Sequence, residues 1–134
     1  MVEYDFDFLL VGITTSLKGY KLAWELNRQL ALQLEKKEDI YVKFKGNVER
    51  NFANHTYETP TRLIKLMRNK PVDLDTGKHY LAPEYPHFDY LLMVRETERP
   101  VNENLIETIR KIVSVELAAF IPLETLKAKE NFIF

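Results

Sequence analysis

Short apolar stretches along the chain predict the strands of a β-sheet. Residues 4–13 carry apolar side chains on both faces, which is typical of a central strand that is covered on both sides. Residues 88–95 show the same two-sided pattern, whereas residues 40–44 alternate weakly and predict a shorter strand. Residues 117–121 predict a final strand, which Pro122 ends.

The middle of the chain predicts a β-hairpin followed by a loop. Residues 51–58 and 62–69 are strand-like, and the turn between them contains Pro60. Proline favours the turn because within a central strand it would remove a hydrogen-bond donor from the ladder. Residues 70–80 contain proline, aspartate and glycine and predict the loop before the next strand.

Apolar residues at helical spacing predict a first helix after Ser16 that runs to about Leu34. Thr14, Thr15 and Ser16 offer N-cap chemistry, and the charged run of residues 35–39 ends the helix. The spacing predicts one stripe of side chains that faces the sheet, with Leu17 and Leu26 at its margin. Its members are Tyr20, Ala23, Trp24, Asn27, Leu30, Ala31 and Leu34.

A second helix is predicted to start within residues 99–103. Asn102 can cap this helix, and Val101 can pack against Ile106 as a hydrophobic staple. Its predicted buried stripe consists of Leu105, Ile109, Ile112 and Val113.

These elements follow one another in the order β-α-β-β-β-β-α-β within a single domain, residues 1–134. The order predicts an α+β fold, with one sheet of about five to six mostly antiparallel strands and two helices on one face. The layout resembles a ferredoxin-like fold with an inserted hairpin.

Composition narrows the class of protein. The net charge of -1 argues against a DNA-binding surface, because phosphate contacts require a basic excess. The absence of cysteine excludes disulfides and thiolate metal sites. The acidic start lacks the basic segment of a signal peptide, and no apolar run is long enough to span a bilayer. We therefore expect a cytoplasmic protein without membrane contact.

Residues 82–90 read Ala-Pro-Glu-Tyr-Pro-His-Phe-Asp-Tyr. This stretch resembles the defining motif of the IPExxxVDY family, which consists of short bacterial proteins of the Bacteroidetes type without an assigned function. Residues 4–13, 20–27 and 126–134 support the resemblance, which thus extends in the expected order over nearly the whole chain. Apolar residues replace the Ile and the Val of the motif. The resemblance implies a protein type, and it implies no catalytic residues.

The same stretch contains the best candidate acid–base cluster, Glu84, His87 and Asp89. In a strand that begins near His87, His87 and Asp89 share a face, so the carboxylate could orient a general base or, with Glu84, provide metal ligands. The alternative, which we favour, is structural: Glu84 belongs to a turn, Phe88 is buried and Asp89 marks the solvated end of the strand. The other histidines lie in distant segments, so we expect no metal site and no cofactor.

The junction between the first strand and the first helix is a candidate anion site. Backbone amides at a helix start attract anions, and the hydroxyls of Thr14, Thr15 and Ser16 with the Lys18 ammonium could complete the site. Neither GxGxxG nor GxxxxGK[ST] occurs in the chain. Ordinary N-capping is therefore the favoured interpretation.

Aromatic and basic residues in the middle of the chain raise the hypothesis of single-stranded RNA binding on the sheet face. No RNP-like motif is present, so this hypothesis is the least favoured. The aromatic residues concerned are Tyr41, Phe44, Phe52, Tyr57 and Tyr80.

We therefore expect a non-enzymatic binding domain whose ligand is a protein partner, a second copy or a small regulatory molecule. The alternative is a small enzyme that uses Glu84, His87 and Asp89, or an anion-binding domain at residues 14–18. The apolar end of the chain, residues 131–134, predicts a tail that docks on its own domain or is exchanged in a homodimer.

Overall fold

The computed structural model describes residues 8–72, 79–96, 104–127 and 129–132. None of the described helices is long and apolar enough to cross a membrane. In chain order the elements are β1 (Leu9–Thr15), α1 (Gly19–Leu30), β2 (Glu35–Phe44), β3 (Val48–Thr59), β4 (Arg62–Arg68), β5 (Tyr90–Glu96), α2 (Leu105–Arg110), β6 (Val115–Phe120) and two 3-10 segments, Leu123–Thr125 and Lys129–Phe132.

The six strands form one open antiparallel sheet in the order β2-β3-β4-β5-β1-β6. The predicted α+β fold and the predicted order of elements are confirmed. Strands β4, β5, β1 and β6 have, with α1 and α2, the connectivity of a ferredoxin-like fold. The β2–β3 hairpin is inserted between α1 and β4, and it extends the sheet at one edge.

Both helices cover one face of the sheet, because alternate strand residues of β1, β4 and β5 join them in a single core. Strand residues on this face share the core with Leu22, Ala23 and Leu26 of α1 and with Leu105, Ile106 and Ile109 of α2. Burial of each such aliphatic side chain stabilises the fold by roughly 1.5–3 kcal/mol relative to exposure. The strand residues are Val11, Ile13, Ile64, Leu66, Tyr90, Leu92 and Val94.

Irregular segments cover the opposite face of the sheet. Leu81, Ala82 and Phe88 of the connection before β5 pack there beside Leu126 and Phe132 of the C-terminal segment. The predicted burial of Phe88 is confirmed, since its side chain is 4% exposed. Phe132 docks on its own domain, whereas residues 133–134 of the predicted tail lie outside the described residues.

Helix α1 differs from its prediction at both ends and in its buried face. Thr15 belongs to β1, Lys18 occupies the N-cap position without a side-chain cap, and the helix starts at Gly19 rather than after Ser16. It ends at Leu30, because Ala31 adopts a left-handed conformation with φ 53°. The predicted placement of Tyr20 and Trp24 against the sheet is wrong. The aliphatic row Leu22, Ala23, Leu26 faces the sheet instead, and the two aromatic residues are exposed.

The charged run of residues 35–39 was expected to end the helix, but it forms the first half of β2. Charged side chains suit this position because β2 is an edge strand, where they oppose pairing with other chains. The pairing register with β3 shifts between Lys37 and Ile40, which further interrupts the edge.

The second helix, α2, is shorter than its predicted stripe implies. The helix ends at Arg110, so Val113 follows it and is 98% exposed, contrary to the prediction, while Ile106 takes part in the core. The predicted cap and staple, Asn102 and Val101, lie outside the described residues.

Candidate functional site

The connection that leads into β5 is held by one buried asparagine. The side-chain amide of Asn69 donates to the carbonyl oxygens of Tyr85 and Phe88, each at 2.9 Å. Its side-chain oxygen accepts from the Ala82 amide at 2.8 Å. Asn69 is fully buried, so these bonds replace the water that the segment would otherwise bind. Sequence reasoning missed Asn69, since its only local signal is a polar residue at the end of an apolar strand.

Glu84 fixes the C-terminal segment to this connection. Its Oε1 accepts a hydrogen bond from the Lys127 amide at 3.0 Å. Nearby, the Tyr85 hydroxyl lies 2.6 Å from Oγ1 of Thr125. Glu84 Oε2 is buried and has no hydrogen-bond partner among the described residues. The Glu84 carboxylate of the candidate acid–base cluster thus accepts a backbone hydrogen bond that joins two segments of the chain.

Asp89 binds the candidate anion site at the junction between β1 and α1. Asp89 Oδ2 accepts from the Thr15 amide at 2.9 Å, and its Oδ1 lies 3.9 Å from Lys70 Nζ. The Thr15 hydroxyl donates to the Ser114 carbonyl at 2.6 Å and accepts from the Leu17 amide at 3.2 Å. A carboxylate of the chain itself therefore occupies the backbone amide that the sequence offered to an external anion.

The other members of the two candidate sites form other contacts or are exposed. The Thr14 hydroxyl donates to the backbone carbonyl of His87 at 3.0 Å. The His87 imidazole is exposed, with its ring centroid 4.2 Å from that of Phe88. Ser16 and Lys18 are exposed. Among the described residues no group of three or more potential metal ligands comes together.

Tyr90 ties the start of β5 to the chain that precedes α1. Its hydroxyl donates to the Leu17 carbonyl at 2.8 Å, and burial raises the pKa of the Tyr90 phenol. The polar side chains of Glu84, Asp89 and Tyr90 thus each join the motif to a segment far away in the sequence.

A cleft of about 520 Å³ lies between β2 and the C-terminal segment. Lys65 lines this cleft, and burial lowers the pKa of its ammonium group against an opposing effect of Glu58. Three carboxylates, those of Glu38, Asp39 and Glu130, and a second lysine, Lys43, also line the cleft. A lining with more carboxylates than cations does not suit an anionic ligand.

The aromatic residues considered for RNA stacking are divided between the two faces of the sheet. Phe44 and Phe52 pack on the face opposite the helices, with Phe52 fully buried. Tyr57 is half-buried against the helix-side core, with the Arg62 guanidinium 5.8 Å from its ring. Tyr41 is 70% exposed on β2.

Sequence reasoning missed an exposed aromatic ridge on α1. Tyr20 is 65% exposed and Trp24 is 56% exposed, and the Arg28 guanidinium carbon lies 4.8 Å from the Trp24 ring centroid. These three residues, the α1 ridge, follow one another at a spacing of four and therefore lie along one side of the helix. The signal in the sequence is the spacing of Tyr20, Trp24 and Arg28, of which the prediction places Tyr20 and Trp24 against the sheet.

The α1 ridge borders an uncovered part of the sheet. Asn27 shares a flank of the helix with Tyr20 and Trp24, and its side chain bonds the backbone of Leu34 just before β2. This flank therefore faces the β2–β3 hairpin. We call the hairpin's residues on this side the hairpin floor; it is formed by Lys36, Tyr41, Lys43 and His55, which alternate onto the helix-side face.

His55 shows how close the helix and the hairpin floor are. An added Cβ at Gly19, the first residue of α1, would lie 3.7 Å from Cε1 of His55. Burial lowers the pKa of the His55 imidazole, and the neighbouring charge of Lys36 lowers it further. The start of α1 and the hairpin floor thus form one continuous surface.

Comparison with models of known protein families and with curated proteins finds no match for this chain.

Proposed function

We propose that this protein is a non-enzymatic binding domain that engages a protein partner through the α1 ridge. The observation that carries the proposal is the exposure of Trp24 beside Tyr20, with Arg28 over the indole ring. Tryptophan, tyrosine and arginine are the residues most enriched among those that dominate protein–protein binding energy. A helix that leaves all three in solvent has the composition of an interface core.

The energetics support the same proposal. Trp24 and Tyr20 each offer a large apolar area that is not used within the domain, and buried aromatic area contributes at about 25 cal/mol per Å². Arg28 adds planar hydrogen-bond donors that suit a partner's carboxylates. The helix itself is anchored by Leu22 and Leu26, so the ridge is presented on a rigid element.

The alternative is a small enzyme or an anion-binding domain at the motif and the adjoining corner. The hydrogen bonds of Glu84 with Lys127 and of Asp89 with Thr15 speak for a structural use of these carboxylates. The same bonds support a proposal that the chain belongs with the IPExxxVDY family, because they give Glu84 and Asp89 of the motif a structural role.

Differential capture tests the proposed function. Tagged wild-type protein and the variants Trp24→Ser and Phe120→Ser are incubated with lysate of the native cells, and retained proteins are identified by mass spectrometry. Phe120 is 47% exposed on β6, the edge strand opposite the β2–β3 hairpin, and is the matched control. We expect a protein that wild type and the Phe120 variant retain and the Trp24 variant loses. Identical retained sets for all three proteins would contradict the proposal.

A further inference from the structure

The surface around the α1 ridge is basic, although the whole chain has a net charge of -1. Its exposed cations lie before, on and beside α1, and are Lys18, Lys21, Arg28, Lys36 and Lys43. Glu25 lies 4.0 Å from Arg28, and Asp39 lies 3.3 Å from Lys36. Glu49 is the cross-strand partner of Lys43, so three of the five cations have acidic neighbours. Neither Lys18 nor Lys21 forms an ion pair within the described part of the chain.

The geometry decides how a ligand can lie on this surface. Addition of a strand to the edge of β2 is disfavoured, because this edge is charged and its register is interrupted between Lys37 and Ile40. A ligand that contacts the hairpin would therefore lie on its face, with the hairpin floor beneath it and the α1 ridge beside it. Tyr41 and Tyr20 are the exposed aromatic contacts along that path.

The contact between Arg28 and Trp24 distinguishes between two classes of polyanionic ligand, acidic peptides and single-stranded nucleic acids. Arg28 covers the Trp24 ring at 4.8 Å, so this ring face is already stacked and is not open to a nucleobase. The guanidinium in that position still presents donors in the planar fork that matches a carboxylate. The arrangement favours an acidic peptide over a single-stranded nucleic acid.

We infer that the partner binds through an acidic, extended segment that lies across the hairpin floor and along the α1 ridge, with its carboxylates near Lys18, Lys21 and Arg28. This inference rests on the proposed function and adds the chemistry of the partner. Lys18 and Lys21, which form no ion pair with the described residues, supply the positive charge, and Tyr20 and Trp24 supply the apolar contact. Opposite charge across such a surface steers encounter and sets specificity.

The chain carries its own reporter for a direct test, because Trp24 is its single tryptophan. Trp24 fluorescence is titrated with a short peptide of alternating glutamate and leucine, with its glutamine counterpart, and with a single-stranded oligothymidine. We expect the glutamate peptide to saturate the signal, with affinity at least about tenfold above that of the glutamine peptide and falling as salt is raised.

Charge reversal assigns the binding to the named residues. The double variant Lys18→Glu/Lys21→Glu should bind the glutamate peptide about tenfold or more weakly than wild type. Lys111→Glu, an exposed lysine at the end of α2, is the matched control and should bind as wild type does.

Each other outcome overturns the inference. Equal binding of the glutamate and glutamine peptides, or an equal loss in the Lys111 control, removes the role of the named charges. Tighter binding of the oligothymidine assigns the surface to nucleic acid. If no probe changes the Trp24 signal while the captured partner still depends on Trp24, the acidic segment is wrong and the proposed function stands. If the capture also fails to depend on Trp24, both are wrong.

Discussion

Gly12 at the centre of β1 leaves room for the ring of Phe88, and replacing it with alanine should destabilise the protein. A Cβ at Gly12 would lie 2.3 Å from Cδ2, 2.4 Å from Cε2 and 2.5 Å from Cγ of Phe88, well inside contact distance. The ring is 4% exposed and packs beside Tyr85, with ring centroids 5.9 Å apart. β1 is bonded on both sides, to β5 and to β6, so neither the strand nor the ring can easily move.

The expected loss follows from this overlap. Extra atoms in a packed core cost about 1–3 kcal/mol. We expect the upper end, about 3 kcal/mol, because all three close atoms belong to one rigid ring. For a domain of this size that loss lowers Tm by roughly 10 °C. Urea unfolding followed by circular dichroism measures the change, with Gly19→Ala as the matched control. The nearest atom to an added Cβ at Gly19 lies at 3.7 Å, so the control should change stability by less than about 1 kcal/mol.

A double-mutant cycle isolates the contact with Phe88. Phe88→Leu removes most of the overlapping ring, so Gly12→Ala should be less harmful in that background, with a coupling free energy of about 1–2 kcal/mol. If Gly12→Ala stays within about 0.5 kcal/mol of wild type, or if the two changes are additive, the reasoning about this contact is refuted.

Three further predictions concern other residues. Asn69→Ala should lower the free energy of unfolding by about 3 kcal/mol or more, since it leaves buried amide and carbonyl groups without partners, and a loss below about 1 kcal/mol in urea would contradict this. Trp24→Ser should change stability by at most about 0.5 kcal/mol in the same assay, whereas a core tryptophan would cost about 3–5 kcal/mol. The lowered pKa of His55 means that the unfolded chain binds the proton more readily, so stability should fall as the pH drops below the ordinary value of 6.5, and His55→Gln should flatten that part of the curve. Superimposable pH profiles of the two proteins would rule out this role of His55.

Much of the fold could be predicted because its central strands are buried on both faces. β1 and β5 have neighbours on each side and a core above and below, so nearly every position along them is apolar. The hairpin β3–β4 is local, and its turn is marked by Pro60. Each of these patterns depends on a short stretch of sequence, so it can be recognised without knowing how the rest of the chain packs.

The wrong predictions for α1 and for residues 35–39 have a common physical cause. A local sequence pattern does not contain the tertiary contacts that decide whether a residue is buried. Trp24 and Leu26 both fit an apolar stripe of α1, and only packing against the sheet decides that the aliphatic row is buried. The charges of residues 35–39 predict a solvated segment, but these residues form part of the edge strand β2. An edge strand pairs with another strand on one side only, so it tolerates charged side chains.

The candidate site was predicted in its residues but not in its contacts. Glu84 and Asp89 were identified as polar groups of a structural corner, but the amides they bind belong to Lys127 and Thr15, far away along the chain. Local spacing carries no information on such partners. The same limit hid the α1 ridge, since exposure of Trp24 depends on where the hairpin and helix α2 leave the helix uncovered.

The place of β1 in the sheet has a consequence for synthesis on the ribosome. Thr15 ends β1, but its first partner β5 begins only at Tyr90 and its second partner β6 only at Val115. At about 5–20 residues per second, β5 follows β1 by about 4–15 s. During that interval the nascent chain can form the local hairpins β2–β3 and β3–β4, while Leu10, Val11 and Ile13 have no strand to pair with. A central strand with five buried residues in the finished protein thus waits longest for its partners during synthesis, and the nascent chain is then most open to aggregation or to capture by a chaperone.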